Sequence, residues 1–432
     1  MKSFLKNDFL LFLLFETIFN FGDLSASNGV IPISQNDSVR FVVYSGLVTN
    51  QETGKPLAFA SIILKGTNIS TVSNTEGAFI LKVPKDQLKG NLEFSFLGFH
   101  TKIVPLTNLN TELFNAELEP MLLVLPEVNV VFNDALSLVR AVIKNKGTNY
   151  LDEPANLTAF YRETIKKRKT YVSLLEAVVD IYKYPYYSDK TDWVSLYKVR
   201  KSTDYQKLDT LAFKLMGGPY NTLMTDVMKN TDEFFSSDIM GYYTFSFEGI
   251  TNIGDKSIYV VSFKQLPTYP EPLYFGKLYI DAERLALVSA EFGLNVENRD
   301  AAAEIFIKKK PINARVFPTR NMCRVDYIQR GGKWYLNYCR VELDVYIDWK
   351  RKFFKTIYYS TMEMAVTDMK IIKKEESTID TKNRMKISTI IADEARGFAD
   401  PDFWGEYNVI EPEKPIQSAI KKIQKQLKKN SR

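Results

Sequence analysis

From residue 242 to residue 369 the chain is written almost entirely as alternating apolar and polar residues, broken at short intervals by turn signals. TFSFEGITNIGDKSIYVVSFK breaks over residues 252–255, and FGKLYIDAERLALVSAEFGL breaks at Ala282-Glu283-Arg284. MCRVDYIQ joins KWYLNYCRVELDVYID through Arg330-Gly331-Gly332, and FKTIYYSTMEMAVTDM follows. A period of two turns one side of each run toward a core, and short turns pair consecutive runs antiparallel. Consecutive hairpins with one apolar face and few helices predict a curved antiparallel sheet packed on a few helices, an open half-barrel. Helical spacing precedes it. Asp134 caps Leu136, Val139, Val142 and Ile143, with Gly147 as the stop, and residues 210–240 place Met216, Leu223, Val227 and Met228 at helical intervals around Gly217-Gly218-Pro219. YRETIKKRKTYVSLLEAVVDIYKYP reads as a turn from helical to alternating period. These runs define a module over residues 134–412, joined by a linker at 121–133 to a different pattern upstream.

Residues 39–120 read as seven short strands, among them FVVYSGLV, FASIILKG, AFILKV, LEFSFLG and LFNAELE, separated by Gly- and Asn-bearing turns. That density of short strands predicts a seven-stranded antiparallel β-sandwich and a mainly β protein. The segment GLVTNQETGKPLAFASIILKGTNISTVSNTEGAFILKV, then LEFSFLGFH and LEPMLLVLPEVNVV, resembles the carboxypeptidase-regulatory-like domain found ahead of outer-membrane receptors and in surface proteins of Gram-negative bacteria. The resemblance is carried by Gly46 and Val48, Gly54 with Pro56 and Leu57, Gly66 with Thr67, Asn74 or Thr75 with Gly77 and Phe79, and Gly98 with Phe99. It implies a transthyretin-like sandwich with an accessory role. Thr75 stands where the family's turn usually carries an acidic residue. No carboxypeptidase activity follows, because zinc hydrolysis of that kind needs two histidines and a glutamate and His100 is the sole histidine. GKLYIDAERLALVSAEF is similar to the strand-turn-strand unit of periplasmic lipoprotein carriers, whose open barrels hold acyl chains.

Lys2 and Lys6, the apolar run at 9–15 and the small-residue ending Leu24-Ser25-Ala26 predict a secretory signal over residues 1–26. No later stretch is long and apolar enough to span a membrane, so the mature chain is expected in the periplasm or at the outer-membrane periphery. Of 57 basic residues, seven lie in residues 414–432 with no acidic one, and the remaining 50 nearly cancel the 51 acidic residues. A near-neutral body argues against nucleic acid as a partner. Residues 413–432 instead form a basic amphipathic helix with Ile416, Ile420, Ile423 and Leu427 on one stripe. Two readings of it stand: docking on a lipid surface or partner, and packing on its own domain.

The same even balance holds for the cysteines. With Gly331 at the hairpin centre, Cys323 faces Cys339, and a cross-strand disulfide would stabilise by ~3 kcal/mol. A two-residue Gly-Gly turn would offset the pair and leave two buried thiols beside Val325, Val341, Leu343 and Val345. For a ligand site the candidates are Arg162, Glu163, Glu176, Trp193 and Tyr197: carboxylates with a basic partner in apolar strands, and aromatic residues able to form a platform. The acidic and aromatic run DPDFWGE at 400–406 suits either a sugar platform or a loop pinned by Trp404. The sequence thus predicts a non-enzymatic exported binding protein that holds a lipid, glycan or partner segment on the concave sheet and needs no cofactor or metal. Its rivals are a hydrolase using Glu163 and Glu176, and a structural accessory to an outer-membrane nutrient receptor.

Overall fold

The structure is a computed structural model that describes residues 12–16, 41–109, 113–121, 134–168, 170–203, 212–216, 218–307, 314–350, 355–372, 384–389, 391 and 403–421. Most of the expected signal segment and the linker at 122–133 lie outside the described residues. Within the signal segment, β1 (Phe12–Glu16) pairs antiparallel with β12 (Ala212–Met216).

The N-terminal module is the expected seven-stranded sandwich. Its strands are β2 (Phe41–Asn50), β3 (Ser61–Leu64), β4 (Ser70–Val72), β5 (Ala78–Pro84), β6 (Asn91–Ser95), β7 (Lys102–Pro105) and β8 (Phe114–Leu118), in sheets ordered β5-β2-β8 and β4-β3-β6-β7. Alternate residues Val48, Ile62, Leu81, Phe94 and Leu118 fill the space between the sheets. One expectation fails: β2 and β8 pair in parallel, because β8 returns to the first sheet only after the chain has crossed to the second. Gly77 shows why the turn motif needs glycine. Its φ is +76°, and a Cβ there would stand 2.6 Å from the Val48 carbonyl oxygen.

The second module opens with α1 (Ala135–Lys144), whose Asp134 cap accepts from the Ser137 amide at 2.6 Å. Gly147 does not end the helical path, since α2 (Lys146–Asn149) crosses it. The main sheet follows: β9 (Ala155–Lys167), β10 (Thr170–Lys183), β11 (Trp193–Thr203), β13 (Tyr243–Ile253), β14 (Lys256–Gln265), β15 (Tyr274–Asp281), β16 (Ala286–Leu294), β17 (Ala314–Arg330), β18 (Lys333–Trp349) and β19 (Thr356–Ile371). The strand YRETIKK was misread as helical because β9 is buried on both faces, which erases the period-two signal. Likewise residues 212–216 are strand, and helices begin only at α3 (Pro219–Leu223), followed by α4 (Thr231–Phe235), α5 (Ser237–Met240) and α6 (Arg299–Phe306).

The sheet order is β11-β10-β9-β19-β18-β17-β16-β15-β14-β13, every pair antiparallel, with edges β11 and β13 unjoined. It wraps over a helical layer: α3 touches β11, β18 and β19, while α1 touches β13 at the other end. Leu157, Leu175, Val341 and Met362 meet Val139 and Phe234 on that side. On the opposite face Phe160, Val178, Tyr338 and Ala365 pack against Val72 of the sandwich and against Trp404, Val409 and Ile410.

A C-terminal strap holds the two modules together. Asn408 Oδ1 accepts from the Lys82 amide at 2.6 Å, Thr71 donates to the Val409 carbonyl, Asn74 to the Glu411 carbonyl, and Thr75 to Glu413 Oε1 at 3.0 Å. Arg162 Nη2 donates to the Ile410 carbonyl at 2.7 Å from the sheet side. Residues 414–421 are helical, and Ile416 packs on Leu174 with Ile420 and Tyr171 beside it. The described part of the apolar stripe therefore lies on its own domain; Ile423 and Leu427 fall outside the described residues. No described helix is long and apolar enough to cross a membrane.

Cys323 and Cys339 are buried free thiols, so the cross-strand disulfide is corrected. Gly331 and Gly332 both have positive φ and form a two-residue turn, Arg330 facing Lys333, which shifts the register by one; a bulge after Asp326 shifts it again. Cys323 consequently faces Val341, and Cys339 faces Val325. Burial pushes the Cys323 thiol up to about 12 and Cys339 higher still.

Candidate functional site

On the sandwich-covered face, one transverse row of the sheet is charged through eight strands. Arg200, Glu176, Arg162, Glu363, Arg340, Arg324, Glu291 and Lys277 stand directly opposite one another from β11 to β15. Signs alternate except at one step. Arg200 and Arg162 both bind Glu176 at 2.7–2.8 Å, Arg162 reaches Glu363 at 3.2 Å, and Arg340 reaches Glu363 at 3.1 Å. Burial opposes the charge on Glu176, yet the two guanidiniums outweigh it and hold its carboxyl below the usual range.

The break falls where Arg340 faces Arg324, and there the sandwich inserts Phe59. Its ring stacks on Tyr338 at 5.2 Å and lies 5.1 Å from the Arg340 and 5.7 Å from the Arg324 guanidinium carbon. Facing like charges repel, and a ring face between them offers each a cation–π contact. Phe59 has φ of +65°, held by bonds from its own amide and that of Ala60 to Ser73. A bulky residue in the left-handed region stores strain, which this docking contact offsets.

The sequence candidates separate. Arg162 and Glu176 form the buried ion pair at the centre of this row, whereas Glu163, the next residue along β9, points to the helix-covered face between Leu175 and Met362. Glu163 and Glu176 are therefore on opposite sides of the sheet and form no carboxylate pair. Burial raises the Glu163 carboxyl to about 7, against the hydroxyl of Tyr161 at 3.0 Å and the charge of Lys201. Trp193 is buried, stacked on Tyr182 at 5.2 Å; Tyr197 is exposed against Tyr407 at 5.1 Å. Neither stands in the ion pair's row, whose member on edge strand β11 is Arg200. Trp404 packs edge-on against Phe160, so at least that part of DPDFWGE is a pinned loop; residues 400–402 lie outside the described residues.

The concave, helix-covered face offers little room. Its described cavities are about 30 Å³ beside Met224 and Phe306 and about 10 Å³ beside Val142 and Leu287, enough for a water at most. The ligand groove expected on this face is not among the described openings, and α1, α3 and α6 pack against the sheet there. A polar network that sequence reasoning missed also binds helices to sheet there. Lys183 joins Asp192 at 2.7 Å and Asp226 at 2.6 Å, and Asp226 accepts from Tyr186 and Tyr327 at 3.1 and 2.8 Å. Burial opposes the charge on Lys183, but the two aspartates raise its pKa above the ordinary lysine value. Both oxygens of Asp226 are engaged, which marks a structural network rather than a vacant site.

An opening of about 480 Å³ lies between the modules. Its first wall is the outer face of the β4-β3-β6-β7 sheet, where Ile63, Glu93 and Ile103 form one row and Ser61 faces Ser95. The second wall is the main sheet near its β13–β14 and β17–β18 hairpin tips, where Ile258, Val288, Ile328 and Trp334 line the opening. His100 lines the mouth. Trp334 is 5% exposed, and its indole Nε1 finds no acceptor among the described residues; Ser61 Oγ is likewise buried and unbonded. Lys256 Nζ sits 4.8 Å over the Trp334 ring and donates to Gln329 Oε1. Burial holds Lys256 below the usual lysine range, with Asp281 pulling the other way. A second, more polar chamber of about 200 Å³ touches Arg162, Glu363 and Glu413 under the strap.

No curated protein sequence matches the chain. Among solved structures it is similar to a DUF1329 family protein from Desulfovibrio piger at 10% identity, covering 58% of this chain and 96% of that one with TM-score 0.24. It is similar also to a LolA superfamily protein from Nitrosomonas europaea at 10% identity, covering 59% and 99% with TM-score 0.20. The sandwich gives a sharper result: residues 44–130 match the family model of the CarboxypepD_reg-like domain, the family whose turn motifs Gly54, Gly66, Gly77 and Gly98 display.

Proposed function

We propose that this chain is a non-enzymatic exported binding protein of the cell envelope that holds a small amphipathic ligand in the cleft between its sandwich and its main sheet. The observation that carries the reading is the opening of about 480 Å³ that both modules line, with Ile63 and Ile103 on one side and Ile328, Trp334 and Lys256 on the other. Openings of this size suit small organic ligands. Ile63, Ile103, Ile258, Val288 and Ile328 supply apolar walls, and the few polar groups supply orientation. The export address rests on Lys2, Lys6 and the apolar run at 9–15. The sandwich serves as one wall of the site, which gives its accessory character a physical role. A hydrolase built on Glu163 and Glu176 finds no support, since the two carboxylates lie on opposite faces of β9 and β10.

The test is native mass spectrometry of the full chain purified gently from its own envelope fraction. The reading expects a co-purified amphiphile that Ile103→Glu removes, a substitution at a half-exposed wall position that leaves both cores intact. A bare chain after such purification, or a ligand retained unchanged by Ile103→Glu, overturns it.

A further inference from the structure

We infer that the end of the main sheet away from the cleft docks on an anionic phospholipid surface through the tips of its β9–β10 and β18–β19 hairpins. The registers bring these tips together. Lys167 faces Thr170 across the first turn and Tyr358 across the β9–β19 ladder, while Thr356 faces Ile347 near the end of β18. Four neighbouring strands therefore turn side by side, with Lys166, Lys167 and Arg168 on one tip and Lys350 and Lys355 on the other. No acidic residue occurs in the sequence over 164–175 or 349–360. Arg168, Lys350 and Lys355 are exposed and form no ion pair among the described residues. Arg315 faces Asp348 and meets Asp300 at 3.8 Å, so that neighbouring group adds at most one negative charge to the five positive ones.

Further features set this end apart. Arg168 opens the two-residue turn with φ of +56°, a conformation that favours Gly or Asn. An exposed cation kept in a strained turn points to a contact beyond the fold. At the opposite end of the sheet the tip cations are engaged within the chain: Lys333 pairs with Asp152 at 2.8 Å, and Arg330 donates to Asn68 of the sandwich. Aromatic residues stand among the docking cations, with Tyr359 37% exposed and Trp349 half-buried. The described chain stops at Lys421, beside the cluster in which Ile420 and Tyr171 pack next to the β9–β10 tip, and residues 422–432 carry five cations and no acid in sequence. The core of a protein interface is depleted of charge, which five clustered cations oppose. A headgroup layer needs only cations for its phosphates and rings at the interface.

Because β18 is 17 residues long, tips and cleft stand about 50 Å apart, and the cleft reading neither supports this inference nor falls with it. The test is vesicle co-flotation of the full chain at low salt. Vesicles of equimolar phosphatidylcholine and phosphatidylglycerol should carry the protein, phosphatidylcholine alone should not, and raised salt should release it. The triple variant Arg168→Glu, Lys350→Glu, Lys355→Glu should lower partitioning about 100-fold or more. If that triple misfolds, Lys350→Gln with Lys355→Gln should still show a loss of about 30-fold. A control triple at exposed positions elsewhere, Lys55→Glu, Lys85→Glu, Lys264→Glu, has the same net charge and should bind as the parent does. Equal losses in the two triples would trace binding to net charge and overturn the assignment to the tips. Unchanged binding by the tip variants, or no flotation with either vesicle, overturns it too. Capture on polyglutamate beads without flotation on anionic vesicles gives the surface to an acidic polypeptide and sinks the lipid inference.

Discussion

The two faces of the ten-stranded sheet are built from the same strands and reach opposite outcomes. On the helix-covered face, Leu175, Val341 and Met362 are packed closely, and a described cavity there holds only about 30 Å³. On the other, a charged row runs from Arg200 to Lys277 and a separately folded sandwich is laid over it, leaving about 480 Å³ beside the contact. A chain packs its own helices against a sheet to crystal-like density, whereas a preformed module can touch only where its surface happens to fit. Room for a ligand survives at the second kind of contact.

The largest effect should come from the centre of the charged row. Arg162→Met leaves Glu176 and Glu363 buried with fewer partners, and urea unfolding should show a loss of about 3–5 kcal/mol; a loss under about 1 kcal/mol would mean that Arg200 and Arg340 suffice, and that the row is redundant. Glu163 probes the packed face. Its folded carboxyl titrates near 7 against 4.5 when free, so between those values the folded chain holds a proton that the unfolded chain gives up. Stability should therefore fall as pH rises from about 4.5 to 7, by up to about 3 kcal/mol, and level off above. Glu163→Gln should flatten that slope, as urea midpoints at pH 5 and 7.5 would reveal; an unchanged slope would place the dependence elsewhere. The smallest effect belongs to the joint. Phe59→Ala removes one stacked ring and two cation–π contacts, worth about 2 kcal/mol together, and uncovers the Arg340–Arg324 repulsion. Added salt should recover part of that loss in the variant and little in the parent; equal salt responses would show that the ring does not screen the two guanidiniums.

Much of the architecture was legible because it is local. Arg330-Gly331-Gly332 announces its hairpin, Asp134 its helix, and the glycines of the sandwich their turns. What was hidden depends on register and on contacts between distant segments. The Cys323–Cys339 pairing failed by a bulge that no residue type advertises. Arg162 and Glu176 were legible as a buried pair, but six further members of the row, Arg200, Glu363, Arg340, Arg324, Glu291 and Lys277, read individually as ordinary polar positions in alternating strands. Only the alignment of seven adjacent strand pairs makes them a line. Trp334 is one aromatic position in an alternating strand, and nothing in its neighbourhood says that its N–H would lack an acceptor. The signal that could have hinted at Lys183 is a lysine closing the long buried run of β10, where an unpaired charge is untenable.

The strap sets a schedule for assembly. Asn408 binds the Lys82 backbone across 326 positions of sequence, and Asn74 meets Glu411 across 337. Closing so long a loop costs only logarithmically more than closing a short one, so the final stability is hardly taxed, but contacts this remote form late. The sandwich meets the sheet without the strap, Ser70 donating to the Val366 carbonyl and Arg330 to Asn68, but Thr71, Asn74 and Lys82 gain their strap partners only when residues 403–414 reach them. The strap therefore arrives over a joint that the two modules have already made, and works as a lock rather than as a hinge.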